Sequence, residues 1–453
     1  MFEWNENNVS GDKKIGSWRS TNISTDTRNI KKGDLFVALK GRNFDGHNFL
    51  SEAFAKGAVA AIVSEGEYKN FPLVVVKDTL KALQNMASYY IRNVLINTKV
   101  IAVTGSVGKT TTKDMLYWVL SQCGVSHANN GNLNNNVGLP LTILKAPQNC
   151  EYLILEMGMS KSGEIKELSK ISNPDIAVIT NVEHAHTANF FSLLDIARAK
   201  LEVLHGMKND GILVLNRDHQ YYNYLSSRSD KNVISFGRDQ NATVRLLNLI
   251  QSQNGLNLQI GLNNNKIANY NLNFQGEHFA YSVLATAAVI EGLKLDLSRD
   301  AFETFKIPKG RGNVYITQYE GKQILLIDDS YNASPASMRA AIRTLSTYSN
   351  KRKVALLGDM LELGDESVKF HTDLLDFILE HNINNVCTVG ELMSKLYELL
   401  PNEIKGVHFN DSDQLKNSLN NIIQNNDVVL VKGSRGIKMD VIIQKISGLA
   451  EGS

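Results

Sequence analysis

The run Gly105-Ser106-Val107-Gly108-Lys109-Thr110-Thr111 holds the residue types that bind a polyphosphate. A side chain at Gly105 or Gly108 would hold the backbone away from phosphate oxygens, Lys109 can reach the terminal phosphates, and the Thr110 hydroxyl can ligate Mg²⁺. The strict pattern carries a further glycine six residues before the lysine; Val103 stands there, so the loop is a shorter GxxGKT form. Residues 99–103 are an apolar, β-branched run that reads as a buried parallel strand, and Met115, Leu116, Val119 and Leu120 follow at helical spacing. Strand, glycine turn and helix N-terminus together aim backbone N–H groups and the positive end of a helix dipole at one anion. A nucleoside triphosphate site is expected.

Further candidates stand at strand ends, where open α/β sheets place ligands. Residues 152–155 read as a strand delivering Glu156, a carboxylate suited to be the second Mg²⁺ ligand beside Thr110. Residues 175–180 repeat the pattern and end in Asn181-Val182-Glu183-His184-Ala185-His186, two histidines open to metal or substrate contact. Lys200, on an amphipathic helical stretch, reads as a solvated charge. The amides of residues 129–136 read as a plain loop or a ligand-lining one. Ser24-Thr25-Asp26-Thr27-Arg28 and the turn of residues 40–47, which includes Arg42, could hold a nucleotide diphosphate or simply be solvated.

The elements that must position these residues are α/β throughout. The 453 residues, 43% hydrophobic, exceed one core and suit two or three domains. Short strands and helices fill residues 1–97. A doubly wound parallel sheet is expected over residues 98–310, with an antiparallel ribbon at 243–275 signalled by alternating Leu256, Leu258, Ile260 and Leu262 after an Asn254-Gly255 turn. Residues 311–453 alternate strands and helices again, a Rossmann-like unit whose strand ends carry Asp329, Tyr331, Asn332, Lys432 and Arg435. Ser334 and Pro335 mark a helix start. A net charge of +2 offers no field for nucleic acid or a membrane surface, and three scattered cysteines suggest free thiols. With no signal segment and no run of about 18 apolar residues, a cytoplasmic chain without membrane insertion is expected.

Five segments together resemble the Mur ligase family: TGSVGKTTTK at 104–113, LEMG at 155–158, DDSYNASPASMRAA at 328–341, LGDMLELG at 357–364 and KGSRG at 432–436. STDTR and GDLFVALKG over 24–41, with GNLNNNVGLP at 131–140, extend the similarity over essentially the whole chain. The resemblance implies three domains and an ATP-dependent amide ligase that joins D-alanyl-D-alanine to UDP-N-acetylmuramoyl-tripeptide through an acyl phosphate, acting as a monomer. It implies that Lys109 and Thr110 serve ATP and a first Mg²⁺, that Glu156 is shared between two ions, and that His184 serves the second. Lys200 matches a lysine that several family members carbamylate. His278, Arg311, Asp329, Tyr331 and Asn332 match adenine and ribose contacts; Thr25, Asp26, Thr27, Arg28, Asn134 and Asn135 match contacts to the UDP-sugar. Lys432 and Arg435 are expected to anchor the dipeptide carboxylate. VEHAHTANF at 182–190 departs from the family's GxAHLxxF form. Other readings of the same residues are a different amide ligase of the family, one that lengthens folate with glutamate, and a silent nucleotide-binding scaffold.

Overall fold

The apolar run at Lys99–Thr104 becomes a buried strand, and a sheet is built outward from it in both directions. The computed structural model describes residues 2–41, 43–65, 71–184, 189–252, 255–263 and 266–448; Arg42, His186 and Asn254 lie outside them. Tyr152–Glu156 pairs in parallel on one side and Ile176–Ile179 on the other. Ser126–Ala128 closes the first edge, while Ile212–Asn216 and Asn232–Gly237 continue the second. The chain leaves its central strand in both directions, so the crevice at the strands' C-terminal ends is a topological switch point.

Successive side chains of the central strand enter different cores, because strand residues alternate between faces. Ile101 and Val103 pack with Met115 and Leu116 of the helix Lys109–Leu120 and with Val283 and Leu284 of His278–Leu293. Val100 and Ala102 pack with Leu139, Ile143, Ile165 and Leu168 on the opposite face. The expected ribbon is present: Val244–Ser252, Gly255–Gly261 and Ile267–Leu272 pair antiparallel and extend the same sheet.

Before this sheet, Ile23–Ser24, Leu35–Val37, Ala60–Val63 and Leu73–Val75 form a small parallel sheet edged by antiparallel Lys13–Ile15. The helix Thr79–Asn93 then leads toward the central strand. After it, Lys322–Asp329, Lys353–Gly358, Asn385–Val389, Lys405–Phe409 and Val428–Lys432 form a parallel sheet with antiparallel Asn313–Tyr319 at its edge. The helix Pro335–Ser346 starts as read, with Ser334 and Ser337 forming a reciprocal cap and Pro335 in the first turn. The architecture is α/β, with three large sheets following one another along the chain.

Candidate active site

Three parallel strands end side by side and deliver Gly105, Glu156 and Thr180 to the same crevice. At Gly105 φ is +151°, and a Cβ would overlap the Thr180 hydroxyl; this glycine answers to a neighbouring strand rather than to phosphate. Gly108 has open space around it but a φ of +82°, so the backbone conformation is what requires glycine there. The Thr180 hydroxyl donates to the Val107 carbonyl at 2.6 Å, and Asn181 Oδ1 accepts from the Ser106 and Val107 N–H groups at 3.1 and 2.9 Å. Ser106 Oγ donates to the Glu183 carbonyl at 2.8 Å. With those amides engaged, the loop offers an anion the first-turn N–H groups of the following helix, which have no intrahelical partner.

Lys109 folds back over the loop, its Nζ donating to the Gly105 and Ser106 carbonyls at 2.7 and 3.0 Å. Burial pushes its pKa down, Glu156 opposes that shift, and Arg311 adds to it. Arg311, from the chain entering the last sheet, donates from Nη2 to the Thr110 hydroxyl at 3.0 Å and stacks its guanidinium over Tyr331, 4.2 Å from the ring centre. Glu156 is only 3% exposed. Its Oε1 accepts from Asn134 Nδ2 at 2.8 Å, and its Oε2 is buried without a hydrogen-bond partner. An orphaned carboxylate oxygen is costly to bury, and a hard divalent cation shared with the Thr110 hydroxyl would satisfy it. Thr110 and Glu156 therefore fit Mg²⁺.

These residues open onto a cleft of about 870 Å³ between the central and last sheets. Ser106 to Thr110, Asn134, Asn135 and Glu156 line it from the central side, and Arg311, Tyr331, Asn332 and Arg435 from the other. The amide-rich loop thus lines the cleft.

Several expected residues do not reach the cleft wall. Lys432 is 1% exposed and spent on Asp329, Nζ to Oδ2 at 2.7 Å, and on the Asn332 carbonyl at 2.8 Å. The expected dipeptide anchor thus stands off the cleft lining, and this cation holds the Asp329 to Asn332 turn in place. Burial raises the Asp329 pKa, with the Lys432 charge opposing. His278 is exposed at the start of its helix; the surrounding protein first, then the Lys432 and Arg343 cations, push its pKa down to about 4. Thr111 is buried in its helix. His184 lies away from Glu156's cleft wall, its ring 4.8 Å from that of Phe370 on the last unit. Lys200 is no solvated charge but is 3% exposed, and burial first, then the Lys109 charge, lower its pKa well below the ordinary lysine value. Of the expected second-ion residues, Glu156 lines the cleft, while His184 and Lys200 lie outside its lining. Among the described residues, the one group of three close metal-ligating side chains is Asp45, His47 and Glu65, far from this chemistry in sequence.

A second cavity of about 310 Å³ lies between the first and central sheets, lined by Thr25, Asp26, His127, Asn130, Leu133 and Lys145 among others. Thr27 is buried and Arg28 is turned back on Asp26 at 2.6 Å, which holds that carboxyl below its usual range; neither lines the cavity. The loop 129–136 separates the two cavities, with Asn130 and Leu133 facing one and Asn134 the other.

Comparison with known proteins decides the family. Residues 19–101 match the domain described as Mur ligase family, catalytic domain, residues 103–290 the Mur ligase middle domain, and residues 310–435 the Mur ligase, glutamate ligase domain. The chain belongs to the Mur ligase family. A Bacillus subtilis relative named UDP-N-acetylmuramoyl-tripeptide–D-alanyl-D-alanine ligase is 37% identical over 94% of this chain and 92% of its own. A Rickettsia prowazekii protein of the same name is 35% identical over 97% and 99%. Among solved structures, MurF from Acinetobacter baumannii superposes with a TM-score of 0.87 at 31% identity, covering 95% of this chain and 94% of its own. MurF from Thermotoga maritima in complex with ADP gives 0.84 at 28%, covering 94% and 96%.

In this Mur ligase the residues that sequence reading passed over are supports and walls. Thr180 and Asn181 brace the phosphate loop, and Ser160 to Glu164, Leu361 to Leu363 and Ser434 line the cleft. The signal for Thr180 and Asn181 was their place at the end of the strand beside the loop.

Proposed function

We propose that this Mur ligase joins D-alanyl-D-alanine to UDP-N-acetylmuramoyl-tripeptide at the expense of ATP. The supporting observation is the pair of cavities divided by the loop 129–136, one bearing a phosphate cradle and the other opening beside Thr25 and Asp26. A uridine carrier held in the smaller cavity can lay its peptide over the loop, with the terminal carboxylate facing Lys109. A carboxylate oxygen attacks the terminal phosphorus of ATP, the bond to ADP breaks, and an acyl phosphate forms. The dipeptide amine then attacks the acyl carbon, phosphate leaves, and the amine's proton passes to solvent or phosphate.

Lys109 and the first-turn N–H groups spread the charge of the transferring phosphoryl group. Arg311 and Arg435 flank Tyr331 and bring two further cations to the cleft wall. Mg²⁺ held by Thr110 and Glu156 would supply charge neutralisation on the phosphates. A second ion would be held by Glu156, His184 and a carbamylated Lys200; burial lowers the Lys200 pKa, the direction that favours the neutral amine such a modification needs. The last unit covers the cleft and keeps water from the acyl phosphate. In this reading residues 1–97 bind the carrier, 98–310 the nucleotide, and 311–453 close the site. The cleft is complete within one chain, which is consistent with a monomer working in the cytoplasm.

The test is phosphate release with ATP and Mg²⁺. Release that requires both the UDP-tripeptide and D-alanyl-D-alanine, with formation of the UDP-pentapeptide, is expected; ATP hydrolysis indifferent to either would overturn the proposal.

A further inference from the structure

Glu156 is held by more than its strand. The Asn129 side chain pairs with the backbone of that single residue on both sides: Oδ1 accepts from the Glu156 N–H at 2.8 Å and Nδ2 donates to the Glu156 carbonyl at 3.0 Å. The same Nδ2 donates to the Leu133 carbonyl at 3.0 Å, immediately before Asn134, whose own side chain holds Glu156 Oε1. One amide therefore fixes both ends of the Asn134–Glu156 hydrogen bond. Gly158 belongs to the same arrangement, since a Cβ there would lie 2.9 Å from Asn134 Oδ1.

Asn129 is itself tied down. Lys113 Nζ donates to the Asn129 carbonyl at 2.7 Å, and its charge is balanced by Asp114 Oδ1 at 2.7 Å. Asn129 is 1% exposed and Lys113 3%. Placing an ammonium in that position costs desolvation that an apolar side chain would avoid. Lys113 lies three residues beyond Thr110 on the same helix, so that helix, the Lys113 side chain and Asn129 together connect the two candidate metal ligands.

We infer that Asn129, anchored by Lys113, is a positioning residue that sets the Glu156 carboxylate opposite Thr110 before any cation arrives. The inference rests on the reading of Glu156 as a metal ligand, and it assigns the ligand's precision to a buried amide just past the end of the edge strand Ser126–Ala128. Removing such a support costs metal affinity while leaving the ligands themselves in place.

Mn²⁺ binding to the full chain, followed by electron paramagnetic resonance with a non-hydrolysable ATP analogue present, tests it. Asn129→Ala and Lys113→Met should each weaken Mn²⁺ binding by about tenfold or more. Raised Mg²⁺ should restore much of the turnover, and the KM for the dipeptide should change less than twofold. Glu156→Gln is the control. If it leaves Mn²⁺ binding unchanged, the reading of Glu156 fails; if it weakens binding while Asn129→Ala and Lys113→Met only lower the melting temperature, the positioning inference fails. Should Asn129→Ala not fold, Lys113→Met decides alone.

Discussion

The two junctions that flank the central sheet are built differently. Toward the N-terminus, Leu83, Met86, Ala87 and Ile91 of the helix Thr79–Asn93 share one apolar core with Leu139 and Ile143 of the central unit. Tyr90 seals it with a hydrogen bond to the Ala146 carbonyl at 2.9 Å. Toward the C-terminus the cores are separate, and the cleft intervenes. What crosses there is sparse and polar or aromatic: Arg311 to Thr110, and the His184 ring against Phe370. A shared core makes the first junction rigid, the fixed shelf that the proposed binding of a bulky carrier calls for. A polar, solvent-filled junction can open and close without unburying a core, as a cover over a reactive acyl phosphate must.

Substitutions should separate the two. The largest effect is expected at the cleft junction: Lys109→Met should cut coupled phosphate release by about 10³-fold, with an unchanged urea midpoint, because its Nζ hydrogen bonds go to loop carbonyls. Unfolding coupled to that loss would erase the distinction between the junctions. On the shelf the reverse is expected. Leu83 is fully buried in the shared core, so Leu83→Ala should cost about 2–5 kcal/mol of stability in urea denaturation and shift the first and central units together. Independent melting of the first unit would show that the cores are not one.

Arg311→Ala comes next. It removes the bond to Thr110, which crosses the cleft, and the stack on Tyr331, which holds the guanidinium on the opposite wall. We expect the KM for ATP to rise by about tenfold, in line with one lost charged hydrogen bond, with little change in melting temperature. Equal damage to KM for the UDP-tripeptide would argue that the cover and the shelf are not separate devices.

Much of this contrast was legible in the residues, and the illegible part has a physical cause. The phosphate loop, Glu156 and the capped helix at Ser334 declare themselves because local geometry demands particular residue types. The amphipathic pattern around Lys200 predicted a solvated charge, since periodicity reports which face is apolar but not what a second layer places over the polar face. Lys432 sits at a strand end, where ligands gather, yet its partner Asp329 lies 103 residues earlier on an adjacent strand and no local signal announces the pairing. Asn129 was hidden for the same reason, as its bonds reach Glu156, 27 residues on.

The finest effect concerns the cover's own wiring. His371 is fully buried, and its Nε2 accepts from the Met360 N–H at 2.9 Å. An N–H can only donate, so Nε2 carries no proton and Nδ1–H donates to the Ser367 carbonyl at 2.6 Å. The ring thereby ties the cleft-lining segment after Met360 to the helix Ser367–Thr372, which carries Phe370 to His184. Burial lowers the His371 pKa, with the Ser367 carbonyl and Asp359 opposing. A histidine whose folded pKa is depressed contributes stability above its ordinary value of about 6.5, and that contribution is lost as pH falls from there through the folded value. Thermal melts of the wild-type chain should thus decline as pH falls below about 6.5. His371→Gln, lower in stability at pH 8, should show a flatter acid limb. Parallel limbs in the two proteins would place the titration elsewhere and leave the cover's loop without its proposed tie.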